Sequence, residues 1–272
     1  MVAMTHHPHE HDLGLQHDVD TLQRRGLGRR GLLGVLGGLG AAGALTACSP
    51  TDRTPSGAPD VDVVAGEIPE ETAGPYPGDG SNGPNVLSES GIVRQDITSS
   101  FGEASGVAAG VPLTLRFRVY DLSGDDATPL PGAAVYAWHC DRDGSYSMYD
   151  GDAVDENYLR GVQEADSDGW LSFTTIFPGC YAGRWPHVHF EVYESVDTAT
   201  TASNKLRTSQ LAFPADVCAE VYATEGYEES VTNLAGVSLD SDGIFSDGYS
   251  LQLARLTGSV SDGLTATLNV PI

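Results

Sequence analysis

The sequence predicts an all-β fold, a β-sandwich of mostly antiparallel strands with short helical insertions. Three observations carry that prediction. From residue 111 onward, short runs alternate apolar with polar residues, which is the period of a half-buried strand. Gly, Pro and Asp recur between those runs as turn formers, and helix-like periodicity is confined to two short segments.

The first run, "VPLTLRFRVYD" at 111–121, sets Leu113, Leu115, Phe117 and Val119 against Thr114, Arg116 and Arg118. A turn at 129–132 leads into a second strand through "AAVYAWHCD", residues 169–181 supply a third, and "HVHFEVYE" at 187–194 a fourth. Residues 250–258 and 264–272 read as two closing strands. The helical segments are expected at 195–209 and 214–226, the second opening on Pro214 with Asp216 and Glu220 in its early turns. D-x-D-G sequences at 141–144 and 166–169 lack the downstream glutamate of a calcium loop and read as hairpin turns.

Ahead of this domain, Arg29 and Arg30 precede Gly31, Leu32, Leu33 and a Gly- and Ala-rich apolar run, a pattern that resembles a twin-arginine export signal. The run ends at Leu45-Thr46-Ala47-Cys48, which is similar to a lipobox whose cysteine is lipidated after cleavage. A transmembrane helix is the competing reading, for which the run is short and rich in glycine. Residues 1–47 are therefore expected to be a signal, 48–66 a flexible tether, and 67–272 the folded domain. These features imply export and attachment to the membrane only through a lipid at Cys48. The net charge of −24 disfavours nucleic acid and anionic membrane surfaces as partners. Cys140, Cys180 and Cys218 follow Cys48, and outside the cytoplasm one disulfide with one thiol left over is expected, its pairing open.

Chemistry concentrates in "GCYAGRWPHVHF", residues 179–190. On a strand His187 and His189 project to the same side with Val188 on the other, so one metal ion can lie between two imidazoles. Only His139, His187 and His189 follow Cys48, too few for an all-imidazole site, so oxygen donors are needed. Tyr181 and Tyr146 are the nearest candidates besides carboxylates, and phenolate is a hard donor suited to a trivalent ion; packing in the core is their alternative role.

The stretch from "PGAAVYAWHCDRDGSYS" through "DSDGWLSFTTIFPGCYAGRWPHVHF" to "TSQLAFP" resembles the intradiol ring-cleavage dioxygenases, the protocatechuate and catechol dioxygenase group. The matching elements are G-x-Y, P-G-x-Y, an arginine three residues before H-[IV]-H-F, and a later Q-[LM]-x-F. The resemblance implies a non-haem Fe(III) cofactor held by Tyr146, Tyr181, His187 and His189, with Tyr181 leaving the metal when substrate binds. It implies that Arg184 stands over the substrate ring with Gln210 beside it. "ETAGPYPGDG" at 71–80 is similar to the family's T-x-G-P-[YF] segment, so Thr72, Pro75 and Tyr76 are expected to line the pocket. The implied reaction takes a small aromatic 1,2-diol and O2 to a cis,cis-muconate-type product, and the sequence leaves the particular diol and the oligomeric state open. Only Ala182 and Gly183 separate Tyr181 from Arg184, a loop shorter than the commoner family form. The competing class is a non-catalytic cell-surface sandwich module, which leaves the Tyr-Arg-His-His spacing without a purpose.

Overall fold

The structure, a computed structural model, describes residues 66–124, 126–149 and 151–272; the signal and all of the tether but Gly66 lie outside the described residues. Two β-sheets face each other. One pairs β1 (Pro112–Asp121) with β2 (Thr128–Pro129) and β5 (Trp170–Ile176) on one side, and with β9 (Gly263–Pro271) and then β8 (Arg255–Ser259) on the other. The second runs β4 (Arg160–Glu164), β3 (Ala134–Trp138), β6 (His187–Tyr193), β7 (Lys205–Ala212). Every neighbour pair is antiparallel except β1 with β9. Residues 93–97 run beside the edges of both β4 and β5, where Arg94 donates its N–H to Val162 and Ile97 to Thr174, so the exposed edge groups of both sheets are covered.

The core lies between the sheets and follows from the alternation. Leu113, Leu115, Phe117 and Val119 of β1 point at Val135 and Ala137 of β3 and at Val188, Phe190 and Val192 of β6. The Phe117 and Phe190 rings meet at 5.1 Å between centroids. The outer face of the second sheet is buried as well, because Ala73, Tyr76, Val86, Leu87, Ile92 and Phe101 from the segment before β1 fold over it. All seven residues of β6 are consequently buried.

Several expectations need correction. Residues 195–209 are not helical: a single 3₁₀ turn at Ala202–Asn204 leads directly into β7, because the edge of β6 offers a full ladder of unpaired N–H and C=O groups. The segment at 214–226 does form a helix, α1 (Ala215–Tyr222), and it is followed by a second, α2 (Glu228–Leu234), which the sequence pattern did not reveal. Of the strand expected at 250–258 only the second half pairs, as β8. The D-x-D-G stretches are turns but not hairpins. Asp166 accepts N–H bonds from Asp168 and Trp170, yet the turn carries the chain from β4 in one sheet to β5 in the other. Cys140, Cys180 and Cys218 are all free thiols; Cys140 and Cys180 aim their sulfurs at the carbonyls of Gly179 and Arg184, and burial raises all three thiol pKa values, Cys180 to about 12.

Candidate metal centre

The outer face of β6 carries His187 and His189, and the pairing register places His189 directly between Trp138 of β3 and Gln210 of β7. Trp138 stacks on the His189 ring, centroids 5.0 Å apart and planes 6° from parallel, which fixes the plane of that imidazole. The Trp185 carbonyl lies 2.6 Å from His187 Nδ1. A carbonyl only accepts, so Nδ1 carries the proton and the Nε2 lone pair is turned into the site. Burial holds both imidazoles well below their usual pKa, with the Arg184 charge adding to the effect, so both are neutral donors.

Two tyrosines complete the cluster. Tyr181 Oη lies 3.2 Å and Tyr146 Oη 3.4 Å from His187 Nε2; the two hydroxyls are 3.5 Å apart, and His189 Nε2 is 3.0 Å from His187 Nε2. A turn with Gly144 at φ +87° brings the tyrosines together, since a side chain there would meet Tyr181 Cβ at 3.1 Å. This is the physical content of the G-x-Y spacing. Gly74, at φ +71°, likewise lets the covering segment approach to where a Cβ would be 3.3 Å from His189 Cε1.

Burial pushes the Tyr181 phenol up to about 12 and Tyr146 higher still, each also feeling other potential anions nearby. Alone, the cluster therefore keeps two neutral imidazoles and two protonated phenols. Among the described residues no three His, Cys, Asp or Glu side chains gather, so a metal in this site has to draw on the tyrosines. The donor set fits a hard trivalent cation, whose charge reverses the desolvation that keeps the phenols protonated. Tyr146, Tyr181, His187 and His189 are the residues that could hold it.

Arg184 is buried beside the cluster. Its Nε donates to Asp242 Oδ2 at 2.9 Å and its Nη2 to Gln210 Oε1 at 2.6 Å, while Gln210 Nε2 donates to the Thr72 carbonyl at 3.0 Å. Thr72 thus meets the site through its backbone, and its Oγ1 accepts the Gly74 N–H. Tyr76 packs against Tyr146 and Tyr149, with centroids 5.2 and 5.1 Å apart. Pro75 belongs to the same segment, its carbonyl accepting from Asn82 Nδ2. The segment is fixed by Arg160, whose guanidinium donates to the carbonyls of Tyr76, Pro77 and Ser147, to Ser147 Oγ and to Tyr136 Oη.

The structure groups Tyr146, Tyr181, Arg184, His187, His189 and Gln210, with Thr72, Pro75 and Tyr76 on the adjoining segment; sequence reasoning missed three residues that support them, Trp138, Arg160 and Asp242. Asp242 had a signal: it stands in a third D-x-D-G, residues 240–243, where its Oδ1 accepts the N–H groups of Ile244 and Phe245. Arg160 had none, because a lone arginine on a short strand does not declare itself buried.

A family model described as "Dioxygenase" matches residues 82–224. The chain is 33% identical over 92 residues to chlorocatechol 1,2-dioxygenase from Rhodococcus opacus, covering 30% of this chain and 35% of that one. It is 31% identical over 103 residues to catechol 1,2-dioxygenase 1 from Acinetobacter lwoffii, covering 30% and 33% respectively. The matched stretch thus spans about a third of the length of these curated relatives. Among solved structures, an intradiol ring-cleavage dioxygenase from Tetranychus urticae superposes with a TM-score of 0.56 at 24% identity, covering 68% of this chain and 88% of that one, a likeness of fold.

Proposed function

This chain belongs to the intradiol ring-cleaving dioxygenase family, and from that premise we propose that it cleaves the ring of a catechol-type 1,2-diol with O2 to a cis,cis-muconate-type diacid. The observation that carries the reading is the convergence of four donor atoms, from Tyr146, Tyr181, His187 and His189, within 3.5 Å of their neighbours in a buried site. Held by those four side chains, non-haem Fe(III) would supply the Lewis acidity that helps a diol lose its protons and the redox access that opens its ring to O2.

The chain's own residues do the rest. Tyr181 is the more exposed of the two tyrosines, and as a phenolate it can take a diol proton at Oη, so one side chain serves as donor and as base. Arg184 is permanently cationic, and Gln210 and Asp242 hold two of its nitrogens so that the remaining one, Nη1, can meet charge that develops on a bound ring. Tyr76 and the backbone of 72–75 close over the cluster and exclude water. The export signal and the Cys48 anchor lie outside the described residues; we infer from them a surface-anchored enzyme that needs no cytoplasmic reductant, since both atoms of O2 enter the product.

The test is the visible spectrum of purified, iron-loaded protein before and after catechol is added without oxygen. A red-brown tyrosinate-to-iron band that shifts on addition is expected, with Tyr181→Phe altering the band and slowing turnover by about a hundredfold, the typical weight of a general base. A protein that stays colourless after iron loading would return the chain to a non-catalytic binding module.

A further inference from the structure

Arg184 does not reach the site alone. Its guanidinium forms a salt bridge with Asp242 in which the two side chains are 5% and 0% exposed. The same carboxylate oxygen, Oδ2, accepts the Trp185 backbone N–H at 2.7 Å, so Asp242 grips both the arginine side chain and the backbone that leads to His187. Its other oxygen is held by the N–H groups of Ile244 and Phe245, which fixes the carboxylate itself. Arg184 also lies 5.9 Å above the Phe245 ring, on the same loop. The loop that carries Asp242 lies beyond the stretch matched by the family model, while Arg184 and Trp185 lie within it.

The clamp has an electrostatic consequence. A guanidinium 2.9 Å from a carboxylate is a neutral pair to anything farther away, while its remaining N–H groups stay directional donors at close range. The other buried cation nearby, Arg160, has all five N–H donors committed to neutral oxygens of Tyr76, Pro77, Tyr136 and Ser147. Among the described residues no uncommitted buried cation is therefore left beside Arg184 for a carboxylate on the substrate.

We propose that Asp242 is a positioning residue that fixes Arg184 and balances its charge, so that the site takes uncharged 1,2-diols in preference to carboxylate-bearing ones. The proposal rests on the dioxygenase reading and adds a substrate class to it. Asp242→Asn keeps the shape and the acceptor for the loop N–H groups but removes the charge. On that variant, kcat for catechol falls at least tenfold with KM changed far less, because Arg184 meets the ring in the reacting geometry. The ratio of kcat/KM for 3,4-dihydroxybenzoate over that for catechol rises at least fivefold, a change that a merely structural defect would not produce.

The wild-type protein provides the measurement that stands if the variant does not fold. Anaerobic calorimetric titration of the iron-loaded protein is expected to give at least tenfold tighter binding of catechol than of 3,4-dihydroxybenzoate, and the cleavage rates the same order. Equal affinity and equal cleavage for the two diols overturns the charge-balance proposal and leaves the dioxygenase reading standing. Absence of cleavage with every diol overturns both. A folded Asp242→Asn variant with unchanged kcat and unchanged preference removes the positioning role.

Discussion

The two faces of the sheet formed by β4, β3, β6 and β7 are both buried, yet they are built on opposite principles. The inner face presents Val135, Ala137, Val188, Phe190, Val192 and Leu211 to the other sheet, and its stabilisation is non-directional and proportional to area. The outer face presents Tyr136, Trp138, His189, Glu191, Tyr193 and Gln210, with Arg160 at its edge, and there each polar atom needs a partner. Alternation along one strand thus separates folding from chemistry at a spacing of one residue. Burial is common to both faces; what differs is whether geometry or volume is specified.

That contrast can be broken from either side, and the largest effect is expected on the inner face. Phe190→Ala removes a fully buried ring that packs on Phe117 and should cost about 3–5 kcal/mol in denaturant unfolding. The fraction that still folds should bind iron with the wild-type colour; a folded variant without colour would show that the faces are not separable.

On the outer face, Arg160→Met keeps volume and removes five hydrogen bonds, among them the guanidinium donors to the carbonyls of Tyr76 and Ser147, while the Pro77 carbonyl keeps the Tyr136 hydroxyl. Each buried acceptor so orphaned costs about 1–3 kcal/mol, and relaxation of the segment lowers the sum, so a loss of about 3 kcal/mol is expected. Because Tyr76 then loses its Arg160 tie to the sheet, KM for the diol should rise several-fold with the iron colour intact. An unchanged KM would remove Arg160 from the support of the pocket wall.

The smallest effect is a slope with pH. Burial raises the Glu71 carboxyl from 4.5 to about 7, helped by Asp247 and Asp242 and opposed by a hydrogen bond from Gln252 and by Arg184. The folded protein therefore holds this proton more tightly than the unfolded chain does. The contribution is fully present below pH 4.5 and is lost as pH rises through about 7, so Tm should decline across that window. Glu71→Gln should flatten part of the decline; a slope identical to wild type would place the Glu71 titration elsewhere.

The comparison also marks what could be read from the chain alone. The alternation in 111–121 located β1 and its inward residues without error, because one sheet face is apolar and the other is not. The short spacing of Tyr181, Arg184, His187 and His189 made most of the site legible, since strand geometry turns H-x-H into two imidazoles on one face. β4 was not legible: "RGVQE" has a single apolar side chain besides its glycine and is a strand only because the edge of β3 needs a partner. The stretch before Gln210 looked helical from composition, and its pairing with β6 overrode that preference.

The sequence by itself determined the sandwich class, the strands that alternate, and the grouping of Tyr181, Arg184, His187 and His189, because each of these is written in a period of two or in a spacing of a few residues. Only the tertiary structure decided that the outer face would be covered, that Arg160 would bind the segment at 76–77 from more than eighty positions away, and that Asp242 would pair with Arg184 across a separation of 58. Those contacts carry no local signature. They depend on where two distant segments meet once the core has closed, and on the cost of leaving a trapped polar group without a partner.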